Sequence, residues 1–118
     1  MLATLSPTGL QLAKWARAAI EDKKGSDVVI LDVSKISSLA DYFVIASGES
    51  PPQLKAMAEG VREALHEHAD RKPWRLDGNA FAQWIVLDYS DVVIHLMHPE
   101  KRSHYDLERL WGDAKRVK

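Results

Sequence analysis

Few side chains in this sequence are of a type that makes or breaks bonds, and their spacing decides whether any of them can. Ser47-Gly48 follows an apolar run and precedes the helix start Ser50-Pro51-Pro52, a place where a phosphate can meet backbone N–H groups. Nucleotidyl transfer there needs two carboxylates converging on Mg²⁺, usually two residues apart on one strand so that both point the same way. Asp88 and Asp91 are instead three apart and flank a turn, and Asp32 has Ile30 and Ser34 at the positions two residues away. The metal-binding pair is missing, and Gly48 reads better as a turn into the helix. The histidines are no better placed. His66 and His68 on one helix stand about 200° apart, His95 and His98 point to opposite faces of a regular strand, and His104 lies beyond Pro99. With no cysteine there is neither a thiolate nucleophile nor a cysteine zinc site. The expectation is no catalytic residue, no metal and no cofactor.

Binding is the better use of these residues, and the stretch Trp84 to Trp111 shows how they would be positioned. Read at period two, Ile85, Leu87 and Tyr89 share one face with Val92, Ile94 and Leu96, and that face is apolar. The opposite face mixes Trp84, Val86, Val93 and Met97 with Asp88 and His95. Only a few residues around Ser90 separate the two runs, which predicts an antiparallel hairpin. A half-polar face carrying a tryptophan is an interface candidate. Pro99 stops the second strand. Ser103 with Asp106 resembles a capping box that opens a last helix carrying Tyr105, Leu107, Leu110 and Trp111. Tyr105 and Trp111 are about 600° of rotation apart, so one packs on the sheet and the other is exposed. Lys101, Arg102 and Arg109 offer a charged rim.

The remaining elements follow from periodicity and caps. Ser6-Pro7 predicts a helix start, with Leu10, Ala13, Ala16 and Ile20 on its apolar stripe and Gly25 after its end. Val28 to Val33 and Tyr42 to Ala46 are short, continuous and β-branched, as strands buried on both faces are. Between them Ser34 to Asp41 is a loop, held by Ser37, Ser38 and Asp41 hydrogen bonds. Leu54, Met57, Ala58, Val61 and Leu65 give a second helix a clean stripe. Asp70 to Ala80 reads as a loop with at most a short strand near Trp74 to Leu76.

The result is an α/β domain around a mixed sheet of four or five strands. At 118 residues and 46% hydrophobic there is room for one core, so residues 1–114 form a single domain and 115–118 a frayed tail. A net charge of -1 argues against RNA binding through bulk charge. The first twenty residues hold Lys14 and Arg17 and no acid, as transit peptides do. Their apolar run is broken by Thr4, Ser6, Thr8, Gln11 and Lys14, so it is no signal-peptide core, and no run reaches the ~20 apolar residues of a membrane span. A soluble, cytoplasmic protein is expected.

Four pieces in order, Leu31-Asp32-Val33 with Ser37 to Ile45, Ser47-Gly48, Trp84 to Asp88 with Asp91 to His95, and Tyr105 to Trp111, resemble the ribosomal silencing factor family, RsfS or Iojap. The resemblance runs from near Ser6 to Trp111 and leaves out the tail after Gly112. It implies a nucleotidyltransferase-like fold and a noncatalytic protein that binds ribosomal protein L-fourteen of the large ribosomal subunit and keeps the subunits from joining. On strand parity and family position, Trp84 and Tyr105 are expected as aromatic anchors, Val86, Met97 and Leu110 as apolar contacts, and Asp88, His95 and Lys101 as polar ones. Peripheral contact with ribosomal RNA, and a homodimer that hides the apolar face when no ribosome is present, complete the expectation. The alternatives are an enzyme acting on nucleotides and a large-subunit assembly factor.

Overall fold

The computed structural model describes residues 8–117, and the Ser6-Pro7 helix start and Lys118 lie outside them. Helix α1, Gly9–Asp22, opens on Thr8, whose hydroxyl accepts from the Gln11 N–H while the Gln11 side chain accepts from the Thr8 N–H. This reciprocal cap satisfies two backbone donors that the first turn cannot. Helix α2, Pro51–Ala69, starts where its prolines predict, with Ser50 accepting from the Gln53 N–H. Leu54, Met57, Ala58, Val61 and Leu65 are all buried, as the stripe requires. Gly48 just before it is required by space, since a Cβ there would stand 2.8 Å from Leu54 Cδ2 and 2.9 Å from Met57 Sδ.

Six strands form one mixed sheet among the described residues, two or one more than the hydrophobic pattern predicts. They are β1 (Ser26–Asp32), β2 (Tyr42–Ser47), β3 (Arg75–Asn79), β4 (Trp84–Asp88), β5 (Val92–Met97) and β6 (Lys115–Val117), in the spatial order β3-β4-β5-β2-β1-β6. β2 and β5 run parallel at the centre, with Val44 opposite Ile94, and the other neighbours are antiparallel. The additional strands are the two edges. β3, with the sequence RLDGN, is exposed along its whole length and owes its extended form to pairing with β4 rather than to any apolar alternation of its own. β6 occupies residues expected to fray: Val117 pairs with Ile30 of β1 and packs on the core, so backbone pairing orders Lys115–Val117.

Helices α1 and α2 cover one sheet face, enclosing Ile30, Val44, Leu87, Ile94 and Leu96 with Leu12, Ile20, Leu54 and Leu65. The C-terminal segment crosses the other face, where Leu31, Val33, Phe43, Ile45 and Met97 meet Leu107, Trp111 and Ala114. That segment does not begin at Ser103. Helix α3 is Pro99–Tyr105, with His98 as its N-cap and Pro99 at the first helical position, so the residue that ends β5 also starts the helix. Asp106 then takes a left-handed conformation, φ 46°, which breaks the helix before the single turn α4, Leu107–Leu110. The break settles which aromatic turns inward: the Trp111 ring meets Phe43 edge-on at 5.1 Å, while Tyr105 and Leu110 stay 49% and 72% exposed.

Truncating the inward ring removes the main cover of this second core. Trp111→Ala is expected to cost about 3–5 kcal/mol, against less than about 1 kcal/mol for Leu110→Ala at an exposed position. Urea unfolding of the two variants checks this, and equal losses would contradict the packing described.

Candidate docking face

The hairpin β4–β5 carries the face that parity predicts: Trp84 stands opposite Met97, Val86 opposite His95 and Asp88 opposite Val93. Its turn is rigidly held. Tyr89 donates to the Val92 carbonyl at 2.8 Å, Ser90 has φ 78°, and Asp88 Oδ1 accepts from the Ser90 N–H at 2.8 Å. Arg71, just beyond α2, donates to the Tyr89 carbonyl at 2.6 Å and to Asp91 Oδ1 at 2.9 Å, which fixes the turn against the helix layer.

The C-terminal cover stops short of β4, and a groove of about 380 Å³ opens at its margin. Trp84, Val86, Lys101 and Tyr105 line it together with Gly78 and Ala82. Four of the eight predicted contact residues are therefore gathered in one place. The Trp84 and Tyr105 rings are 4.7 Å apart at 47°, so each limits the other's rotamers. A second, shallower groove lies on the far side of Tyr105, lined by Ser103, His104, Asp106, Arg109 and Leu110. Leu110 thus belongs to the same surface but not to the same groove, and Asp88 lies four residues up the strand, where its carboxylate holds the turn.

Two predicted contacts are placed otherwise. Met97 is fully buried in the core that the C-terminal segment covers, between its strand partners Trp84 and Ser47; it supports the face from beneath and offers no surface to a partner. His95 is a positioning residue. Its Nδ1 accepts from Trp84 Nε1–H at 3.2 Å and its ring meets Phe43 edge-on at 5.6 Å. Burial pushes the imidazole down to about 4 against the opposing pull of Asp88, so it is neutral at pH 7 and free to accept. Gly78, in β3, and Ala82, in the β3–β4 turn, escaped the sequence reading, which took Asp70 to Ala80 as loop and assigned nothing to Ala82. Their only signal is the Asp77-Gly78-Asn79 turn chemistry.

Arg102, grouped with Lys101 as rim, is a clamp: its guanidinium donates to Glu108 Oε1 and to Ser47 Oγ, each at 2.9 Å, and its side chain is 11% exposed. In the same bond the Ser47 hydroxyl accepts, and the Gly48 N–H donates to the Met97 carbonyl, so the backbone N–H of the Ser47-Gly48 turn is not left for a phosphate. The Asp32 carboxyl is held below the usual carboxylate range by the Ser34 hydroxyl and N–H. His66 faces Asp70, His68 stacks on Trp15, and His98 Nδ1 accepts from the Glu100 N–H. Among the described residues no group of three or more His, Asp or Glu is placed to hold a metal ion. The arrangement suits docking of an apolar or aromatic partner side chain between Trp84 and Tyr105, with Lys101 beside it.

A family model described as "Ribosomal silencing factor during starvation" matches residues 6–118, so the segment after Gly112 lies inside the match. The chain is 40% identical over 103 residues to Ribosomal silencing factor RsfS of Bacillus subtilis, covering 87% of this chain and 86% of that one. It is 34% identical over 94 residues to Mitochondrial assembly of ribosomal large subunit protein 1 of Mus musculus, covering 78% of this chain and 41% of that protein. Among solved structures, a crystal structure of a Chromobacterium violaceum protein superposes with a TM-score of 0.85 at 38% identity, covering 90% of this chain and 88% of that one.

The His95 environment makes a pH signature. Its folded value lies below the unfolded value of about 6.5, so between the two the unfolded chain binds the extra proton and stability falls as pH drops toward 4. Urea unfolding is expected to show wild type losing about 1–2 kcal/mol more than His95→Gln between pH ~6.5 and ~5. Parallel profiles would contradict a buried neutral acceptor.

Proposed function

The chain belongs to the ribosomal silencing factor family, and we propose on that premise that it docks on the large ribosomal subunit and represses translation by keeping the small subunit from joining. The observation that carries the reading is the groove in which Trp84 and Tyr105 stand open beside Val86 and Lys101. Paired aromatics with an apolar floor and a cationic edge are the composition of an interface centre. The partner surface is ribosomal protein L-fourteen, and Leu110 extends the contact along the second groove while Lys101 and Arg109 reach peripheral ribosomal RNA. Arg102 takes no part in that rim, since it is committed to Ser47 and Glu108.

The mechanism is steric. A folded domain with extents of 50 × 31 × 24 Å placed at the subunit interface occupies space that the small subunit needs, and no bond is made or broken. The site of action is the cytoplasm; no helix among the described residues is long and apolar enough to cross a membrane. A second reading, assistance in large-subunit assembly, is favoured by the name of the mouse relative and would use the same face earlier in the particle's life. When no ribosome is present the open face favours a homodimer, since Tyr105 and Leu110 are otherwise left to solvent.

Sucrose-gradient sedimentation of purified subunits tests the reading. The protein is expected to travel with large subunits and to reduce joined ribosomes. Trp84→Ala with Tyr105→Ala should weaken the association at least about tenfold, as loss of central anchors does, while the far-UV spectrum stays native. Unchanged association by a folded double variant would remove these two anchors. Absence of the protein from the large-subunit fraction would remove the docking itself.

A further inference from the structure

We propose that the segment Arg71 to Trp74, with Arg62 of α2 beside it, binds unpaired RNA: one base stacks on the Trp74 indole and the neighbouring phosphates enter the groove that Arg62, Arg71 and Lys72 line. This deepens the peripheral RNA contact of the proposed function, on which it rests for the identity of the strand, and it lies outside the groove of Trp84 and Tyr105.

Trp74 is left mostly to solvent, 69% exposed, while Trp15, Trp84 and Trp111 are each partly buried. An indole in that position offers a π-face on which any base can stack. The loop that carries it is held at both ends. Arg71 donates to the Tyr89 carbonyl at 2.6 Å, and the Trp74 N–H donates to the carbonyl of Asp88 at 2.9 Å. Asp70, left-handed at φ 52°, ends α2 and lets the loop run back beside its last turns. The backbone under the ring is therefore ordered before any ligand arrives, which lowers the cost of binding.

Next to Trp74 in the chain, Arg71, Lys72 and Pro73 form one wall of a groove of about 430 Å³, and α2 forms the other. The Arg71 guanidinium makes its bonds to Tyr89 and Asp91 through Nη2. Its N–H groups on Nε and Nη1 make no bond among the described residues, so a fixed arginine keeps donors for a phosphate oxygen. Arg62 and Lys72 form no ion pair among the described residues. Arg62 and Arg71 converge on one spot, since both act on the buried Tyr89 phenol.

The lining decides between RNA and protein as the occupant. A protein hot spot is an apolar, desolvated pocket, whereas Pro73 is the one apolar residue of this lining and the rest is charged or histidine. Phosphate complements the cationic wall. The acids limit how much of a strand is held: Glu59 and Glu63 stand one turn apart on α2, His66 faces Asp70 at 3.7 Å, and Asp91 already pairs with Arg71. Room remains for one or two phosphates beside Arg62, Arg71 and Lys72. With a net charge of -1 the chain has no overall field to hold RNA, so affinity has to come from this local combination of ring and cations.

Fluorescence anisotropy of a labelled oligoadenylate of about eight nucleotides, within the span of small single-strand sites, tests this with the purified chain and no ribosome. Binding at low salt is expected, with log K falling against log salt at a slope of about -1.4, the value for two phosphates on a single strand. Trp74→Leu keeps an apolar side chain without a ring face and should weaken binding about 5- to 150-fold with the slope unchanged, and Trp74→Phe should recover most of that loss. Lys72→Gln should instead flatten the slope by about 0.7. No binding at low salt, a Trp74→Leu variant as tight as wild type, or equal affinity for a duplex of the same length would each overturn the proposal. So would a folded Trp74→Leu variant that leaves the large-subunit fraction while its oligoadenylate affinity is unchanged, since Trp74 would then belong to a protein contact. The titration contains no ribosomal particle, so its failure leaves docking through Trp84 and Tyr105 as it stands, and failure of that docking leaves the titration unchanged.

Discussion

The two central strands impose the main constraint on this protein, because β2 and β5 are largely apolar on both sides, His95 excepted, and pair in parallel. A parallel pair needs a long crossover, which here takes the chain through α2 and out to β3 and β4 before it returns as β5. A sheet centre apolar on both faces also needs two covers. α1 and α2 are long enough to close one face with side chains from Leu12 to Leu65. The other is left to seven residues of α3, one turn of α4 and the residues that follow it as far as Ala114. That cover reaches Phe43, Ile45 and Met97 and ends at Trp84, so the open groove is the place where a short C-terminal segment runs out over a sheet six strands wide.

How much of this was legible in the sequence depended on whether an element carries its own signal. β2, α2 and the β4–β5 hairpin carry theirs in apolar spacing and caps, and stand where expected within a residue or two. β3 has little, enough only for a short strand near Trp74 to Leu76, and β6 has none. Arg-Leu-Asp-Gly-Asn and Lys-Arg-Val become strands because a neighbouring backbone offers partners, and single-sequence periodicity does not report on neighbours. Ser103 made a plausible cap, but Pro99 and His98 stand earlier in the chain and satisfy the same geometry, so the helix begins there.

The face was legible for the same reason and to the same depth. Parity correctly groups Trp84, Val86, Asp88, His95 and Met97, because a strand alternates whatever covers it. Parity says nothing of depth. Met97 at the sheet's middle ends beneath the C-terminal segment and does not reach the surface, while His95 is half enclosed by Trp84 and Phe43 and serves the face by holding the Trp84 ring. Tyr105 and Trp111 could be divided into one inward and one outward ring, but the choice depended on Asp106. A left-handed aspartate restarts the helix in a new direction and turns Trp111, rather than Tyr105, onto Phe43.

Preorganisation is what this arrangement contributes to binding. Ordering a rotamer-rich interface side chain costs about 0.5–1.5 kcal/mol on association, and an exposed aromatic pair would ordinarily lose that freedom on docking. Here the Trp84 ring is already fixed by its N–H bond to His95 and by contact with Tyr105 at 4.7 Å. The His95 acceptor is dependable near neutral pH because burial keeps the ring uncharged. Arg102, joined to Ser47 of β2 and to Glu108 of α4, holds the segment that presents Tyr105 against the sheet. Polar groups that resemble candidates for chemistry thus support two aromatic rings instead. A rigid pair of anchors beside an unfilled groove is a surface whose cost of ordering has largely been met during folding, which favours recognition of another macromolecule over turnover of a small one.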